Sequence, residues 1–130
     1  MENEHLTHRI IGCAMTVHST LGCGFQEVIY QRALEIEMHY NGLRFEREKE
    51  MEIFYRSYKI GTRRADFFIE NCTMLELKAV SQLDDSHKAQ AINYLEAYNM
   101  QTGLLINFGA KSLQFKRLYN KHFLNSMKGL

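Results

Sequence analysis

The chain has 130 residues, 45% hydrophobic and 24% charged, which is enough material for one ordinary core and too little for two. That composition excludes a disordered or fibrous protein, and no apolar run approaches the ~20 residues that span a bilayer. The formal net charge of +1 hides an asymmetry: residues 1–100 carry 11 Lys/Arg against 15 Asp/Glu, while residues 101–130 carry Lys111, Lys116, Arg117, Lys121 and Lys128 and no acid.

A basic end of this kind either meets phosphates or forms a solvated face, and charge alone does not choose. The first twenty residues mix Glu2, Glu4, His5, His8 and Arg9 with apolar positions, unlike a signal peptide. Cys13, Cys23 and Cys72 are odd in number and lack C-x-x-C spacing, which suits buried thiols in a reducing compartment. One cytoplasmic domain over residues 1–130 is the expectation.

Leu6, Ile10, Cys13, Ala14, Val17 and Leu21 recur at helical spacing and predict a first helix over residues 4–21. Gly22-Cys23-Gly24 breaks it, and a second helix is predicted from Phe25 to Tyr40, with Ile29, Tyr30, Ala33, Leu34 and Met38 inward and Asn41-Gly42 as its stop. From Phe45 to Tyr55 the period changes to two, as in a strand with one wet face. Tyr58-Lys59-Ile60 reads as a short return segment before Gly61. Ala65–Glu70 and Met74–Val80 read as two strands joined by Asn71-Cys72-Thr73 in a hairpin.

A third helix follows over about Asp84–Met100, with Ala91, Leu95 and Tyr98 as core contacts. Leu104 to Phe108 suits a buried strand and Ser112 to Tyr119 an edge strand. The order α-α-β-β-β-α-β-β implies an α/β fold, a mixed sheet flanked by helices.

The densest chemical signal is Glu76-Leu77-Lys78. Residues two apart on a strand share a face, so this carboxylate and ammonium point the same way while Leu75, Leu77 and Ala79 turn to the core. A hairpin centred on Cys72 places Asp66 opposite Lys78 and diagonal to Glu76. A one-residue slip of register would scatter the group. Two carboxylates with room for water suit magnesium or manganese, and Lys78 could then position water or offset charge developing on a phosphate. The plainer alternative is a strand-face salt bridge, which contributes only ~0–1 kcal/mol when exposed.

Asp66 followed by Glu76-Leu77-Lys78 resembles the D…(D/E)-x-K signature of the PD-(D/E)XK nuclease superfamily. Gly24-Phe25-Gln26-Glu27-Val28-Ile29-Tyr30 is similar to the segment that gives the bacterial GxxExxY proteins, small members of that superfamily, their name. Ile11-Gly12, Val17-His18 and Leu21-Gly22 upstream, and His87-Lys88-Ala89-Gln90, Tyr94-Leu95 and Gly103 to Phe108 downstream, resemble further blocks of the family in the same order. Two positions depart from it. Ala65 replaces the signature proline, and Cys23 stands where relatives often carry proline; neither change removes a chemical group.

The resemblance implies a restriction-endonuclease-like fold and hydrolysis of nucleic-acid phosphodiesters with Mg2+ or Mn2+, DNA ahead of RNA. It implies that Asp66, Glu76 and the Leu77 carbonyl ligate the metal and that Lys78 orients or activates water. Glu27 would be an extra acid at the metal, and Gln90 and Tyr94 a Q-x-x-x-Y element beside the site. Arg63 and Arg64 are candidate phosphate contacts.

Taken singly, Glu27 could be a first-turn helix acid, Gln90 and Tyr94 a rim pair, His18 a satisfied structural histidine, and His87 a helix cap or a phosphate contact outside the core site. His5 and His8 at i, i+3 are more readily an accident of a chain end than a metal site. So small a domain offers little surface for a duplex, which makes a homodimer or a partner protein plausible. The competing readings are a catalytically silent nucleic-acid-binding or protein-interaction module of the same fold and, more remotely, hydrolysis of a small phosphate ester.

Overall fold

The computed structural model describes residues 4–123, so Lys128 of the basic end lies outside the described residues. The first helix, α1 (Glu4–Leu21), buries Ile10, Ile11, Cys13, Ala14 and Val17. It stops at Gly22, whose φ of 76° suits a residue without Cβ and whose N–H donates back to the His18 carbonyl. The second, α2 (Glu27–Tyr40), buries Tyr30, Leu34 and Met38. Ile29, expected inward, is exposed, and so is Cys23 at the inter-helix turn rather than buried.

The alternating segment expected as one strand over Phe45–Tyr55 is two strands, β1 (Phe45–Arg47) and β2 (Glu50–Tyr55). Glu48 adopts a φ of 54°, and its N–H is taken by the Asp66 carbonyl at 3.0 Å. Alternation persists on both sides of that bend, so periodicity cannot reveal it. The supposed short return segment is a full strand, β3 (Tyr58–Arg64), paired with β2 as a separate two-stranded sheet. Then come β4 (Phe67–Ile69), β5 (Thr73–Lys78), α3 (Asp85–Ala97), β6 (Thr102–Asn107) and β7 (Gln114–Tyr119). The order is thus α-α-β-β-β-β-β-α-β-β, with two strands more than the sequence pattern suggested.

The main sheet runs β1-β4-β5-β6-β7, with β5 and β6 parallel and the other pairs antiparallel. The parallel pair needs a crossover, which α3 supplies. On one face α1 and α2 cover Phe67, Leu75, Leu77, Leu104 and Ile106. On the other, Ala91 and Leu95 of α3 and Tyr98 at its C-terminal cap pack against Met74, Leu105 and Leu118, with Met51 and Ile53 of β2 at the margin. Each fully buried leucine or phenylalanine contributes roughly 2 kcal/mol of transfer free energy. Among the described residues no helix is long and apolar enough to cross a membrane.

Candidate active site

The site grows from the β4–β5 hairpin. Glu70 and Asn71 both take left-handed φ values, which turn the chain tightly and pair Ile69 with Thr73 and Phe67 with Leu75. Continued by one residue, that register sets Asp66 opposite Glu76, with Lys78 on the diagonal. The sequence expectation had Asp66 opposite Lys78. The partner differs by two residues, and an even shift keeps every side chain on its face, so the three charged groups still share one patch.

Local bonds then fix the acids. Asp66 Oδ2 accepts from the Leu77 N–H at 2.7 Å. The Asp66 N–H donates to Glu76 Oε1 at 3.4 Å, and the Glu76 side chain is only 4% exposed. Its other oxygen, Oε2, accepts from Arg63 Nη2 at 3.1 Å. The Arg63 guanidinium in turn lies over the Tyr94 ring, 4.3 Å from the centroid, and Tyr94 stacks on Tyr98.

These contacts make one electrostatic unit. Burial, then repulsion from Asp66, pushes the Glu76 carboxyl up to about 7 against the pull of Arg63 and Lys78. Burial also raises Asp66, opposed by the Leu77 N–H, Arg63 and Lys78. Glu27 is accessible as a residue, yet partial burial of its carboxyl and the charge of Asp66 raise it too, while Lys78 and Arg63 lower it.

The family model of the PD-(D/E)XK nuclease superfamily matches residues 4–118. The chain belongs to that superfamily. Membership suggests nuclease activity, and PD-(D/E)XK nucleases typically use divalent metals. Among solved structures the chain is similar to one titled "Crystal structure of SSO0001", with a TM-score of 0.58 and 23% identity over 78% of this chain. The match spans 56% of that protein's chain, little more than half its length. At that identity the likeness speaks for the fold alone, and the mixed sheet is restriction-endonuclease-like as expected. No curated protein matches this chain.

Within this PD-(D/E)XK fold, Lys78 opens into a cleft of about 430 Å³ lined by Gln26, Glu27, Lys78, Ala79, Val80 and His87. Glu27 arrives there because it begins α2, and Tyr30 explains why α2 begins where it does. Its buried hydroxyl donates to the Gly22 carbonyl and accepts from the Phe25 N–H, pinning the turn, while its ring stacks on Phe108 at 4.8 Å. His87 reciprocates the Asp84 cap of α3, with its Nδ1 accepting the Asp84 N–H at 3.1 Å, and also walls the cleft.

Gln90 stands exposed on α3, one turn from Tyr94, and no contact carries it to the acids. Arg64 is exposed, whereas Arg63 is committed to Glu76. His18 is structural: its Nε2 lies 2.9 Å from the Ala110 carbonyl.

Sequence reasoning missed the clamp behind Lys78. Buried Asn107 accepts from the Val80 and Gly109 N–H groups and donates to the Val80 carbonyl and to Gln114 Oε1, at 2.9–3.0 Å. Gly109 passes so close that a Cβ there would lie 2.4 Å from the Val80 carbonyl oxygen. A polar residue ending an apolar run was the available signal, because a buried amide demands partners.

The donors suit a hard cation. Among the described residues no three His, Cys, Asp or Glu side chains form a ready ligand cluster. Two carboxylates remain, plus the Leu77 carbonyl, which in a strand faces the same side as its Asp66-bound N–H. One or two carboxylates with water and substrate oxygens making up the rest is the pattern of magnesium sites. Burial raises both acids, and Asp66 raises Glu76 further; that is the strain a divalent charge relieves.

Proposed function

We propose that the chain is a magnesium- or manganese-dependent nuclease of the GxxExxY type that hydrolyses phosphodiesters, in DNA ahead of RNA. The observation that carries this reading is the meeting of Asp66, Glu76 and Lys78 on one patch, a half-buried and a buried acid bonded to each other's strand beside an ammonium that opens into a cleft. Gly24, Glu27 and Tyr30 support the family assignment, since Tyr30 holds the turn that delivers Glu27 to that cleft.

Asp66, Glu76 and the Leu77 carbonyl would hold the cation, which when bound lends Lewis-acid stabilisation to charge on the phosphate. Lys78 orients the attacking water and offsets that charge with its ammonium. Glu27, whose carboxyl is raised by partial burial and by Asp66, stands in the wall of the same cleft as an extra acid facing the metal. Arg64, exposed beside the site, contacts the backbone of the substrate.

A second reading, a silent binding module, draws on the Arg63–Glu76 ion pair, which already neutralises an acid that a cation would claim. Circular and linear, single- and double-stranded substrates separate the two, incubated with magnesium, manganese or chelator beside Asp66→Ala and Lys78→Ala. Cleavage that needs metal and vanishes in both variants is expected. Cleavage that survives chelation or Asp66→Ala rejects the mechanism, and binding without cleavage under every metal supports the module.

A further inference from the structure

The β2–β3 hairpin leaves the main sheet at Glu48 and takes no part in its pairing. Its inner face packs Met51 and Ile53 on the α3 side of the core and sends Arg63 to Glu76, so its root is tied to the acids. The outer half is different. Phe54, Tyr55, Tyr58 and Ile60 are 56%, 63%, 76% and 65% exposed. Hydrophobic burial does not explain four large apolar side chains in water at one hairpin end.

In the chain beyond Glu52 the hairpin's charge is of one sign. Residues 54–64 contain Arg56, Lys59, Arg63 and Arg64 and no acid. With Arg63 engaged at the root, Arg56, Lys59 and Arg64 are left in solvent; Lys59 reaches Glu52 only through an exposed contact at 3.7 Å. Tyr55 pairs directly with Tyr58 across the turn, and the Arg56 guanidinium lies 5.9 Å from the Tyr55 ring centroid. The turn residues Arg56 and Ser57 both hold positive φ, a conformation for which glycine or asparagine costs less. Turn stability therefore does not account for an arginine at that position.

We propose that this hairpin is a docking arm for an unpaired nucleic-acid strand, with Tyr55 and Tyr58 stacking on bases and Arg56 and Lys59 holding phosphates. Exposed aromatic rings interleaved with cations are the chemistry by which single strands are bound without sequence readout, because every base has a π-face. Duplex bases already stack on one another and offer no such face. A second copy of this chain is a poor occupant, since it would bring the same cations against each other. The tip stands roughly 20 Å of strand beyond Arg63, so contacts there serve binding and leave the chemistry to the cleft.

The proposal takes its direction from the nuclease reading, but its test does not need cleavage. Asp66→Ala protein in chelator is titrated with a fluorescent single-stranded oligonucleotide and with a duplex of equal length, by anisotropy. The single strand is expected to bind the more tightly. Tyr55→Ala with Tyr58→Ala should weaken it about tenfold or more, and Arg56→Ala with Lys59→Ala should lower the slope of log K against log salt by about 1.4, for two phosphate contacts. Thermal unfolding of these variants should match the parent, because the side chains are exposed.

Equal affinity in parent and both double variants overturns the arm, as does a parent that binds no single strand or a duplex preferred and unaffected. So does a change in sedimentation with the aromatic pair, which would make the tip a self-association surface. If the unsubstituted chain cuts nucleic acid while the arm variants bind as the parent does, only the arm fails. If the arm variants lose binding while the chain cuts nothing with any metal, only the nuclease reading fails.

Discussion

Two antiparallel hairpins lie side by side in this chain, and each turns on two non-glycine residues with positive φ, Glu70-Asn71 in β4–β5 and Arg56-Ser57 in β2–β3. In β4–β5 nearly every residue is buried. In β2–β3 only Met51, Ile53 and Arg63 are even partly covered. A one-residue slip of the first hairpin would drive Phe67 and Leu75 out of the core, and Glu76 is held where water barely screens it. The second includes a bulge between Ile53 and Phe54 and keeps most of its charges in solvent. Burial turns one hairpin into a site of perturbed acids, and exposure turns the other into a recognition surface.

The largest expected break in that contrast is Gly109→Ala. The new Cβ would meet backbone atoms of Val80 and Ala79 at 2.4–2.6 Å, which no rotamer relieves. A loss of about 3 kcal/mol in denaturant unfolding is expected, together with displacement of the segment that follows Lys78. A near-neutral result would mean that the strand end is far more plastic than its bonds suggest.

The next effect is on pH. Glu76 titrates at about 7 when folded against 4.5 as a free side chain. Between those values the folded state binds the extra proton, so stability falls as pH rises through the window, by roughly 3 kcal/mol in metal-free protein. Glu76→Gln should flatten that slope, whereas a hairpin variant such as Lys59→Ala should leave it intact. The same proton opposes the cation, so magnesium-induced stabilisation should weaken as pH drops below about 7. A melting temperature insensitive to pH across this range would show that Glu76 is not strongly perturbed.

A smaller effect belongs to Tyr98, whose buried hydroxyl finds no partner among the described residues and is pushed up to about 12, chiefly by burial. Tyr98→Phe should stabilise the protein by about 1 kcal/mol in the same unfolding measurement. The smallest is Tyr58→Ala, expected to change stability by less than about 0.5 kcal/mol because its ring already stands in water.

Much of this was legible from residue order. Helical spacing located α1, and Ala91, Leu95 and Tyr98, expected inward on the third helix, are all buried. Alternation around Glu76-Leu77-Lys78 separated the charged face from the core face, with Leu75 and Leu77 packed under α1 and α2. The bend at Glu48 was not legible, because a single backbone rotation leaves alternation intact on either side. Nor was the length of β3, whose exposed face offers no apolar period to detect.

By itself the sequence determined the fold class, the helices, and that Asp66, Glu76 and Lys78 fall on one side of a hairpin, because those follow from local period and from the parity of strand positions. Only the tertiary structure decided that Asp66 faces Glu76, that Arg63 returns from a separate sheet to pair with it, and that Asn107 and Gly109 clamp the chain behind Lys78. Those contacts join residues 10 to 30 positions apart, and their energies depend on how much water each group has lost, which no local pattern of residue types records.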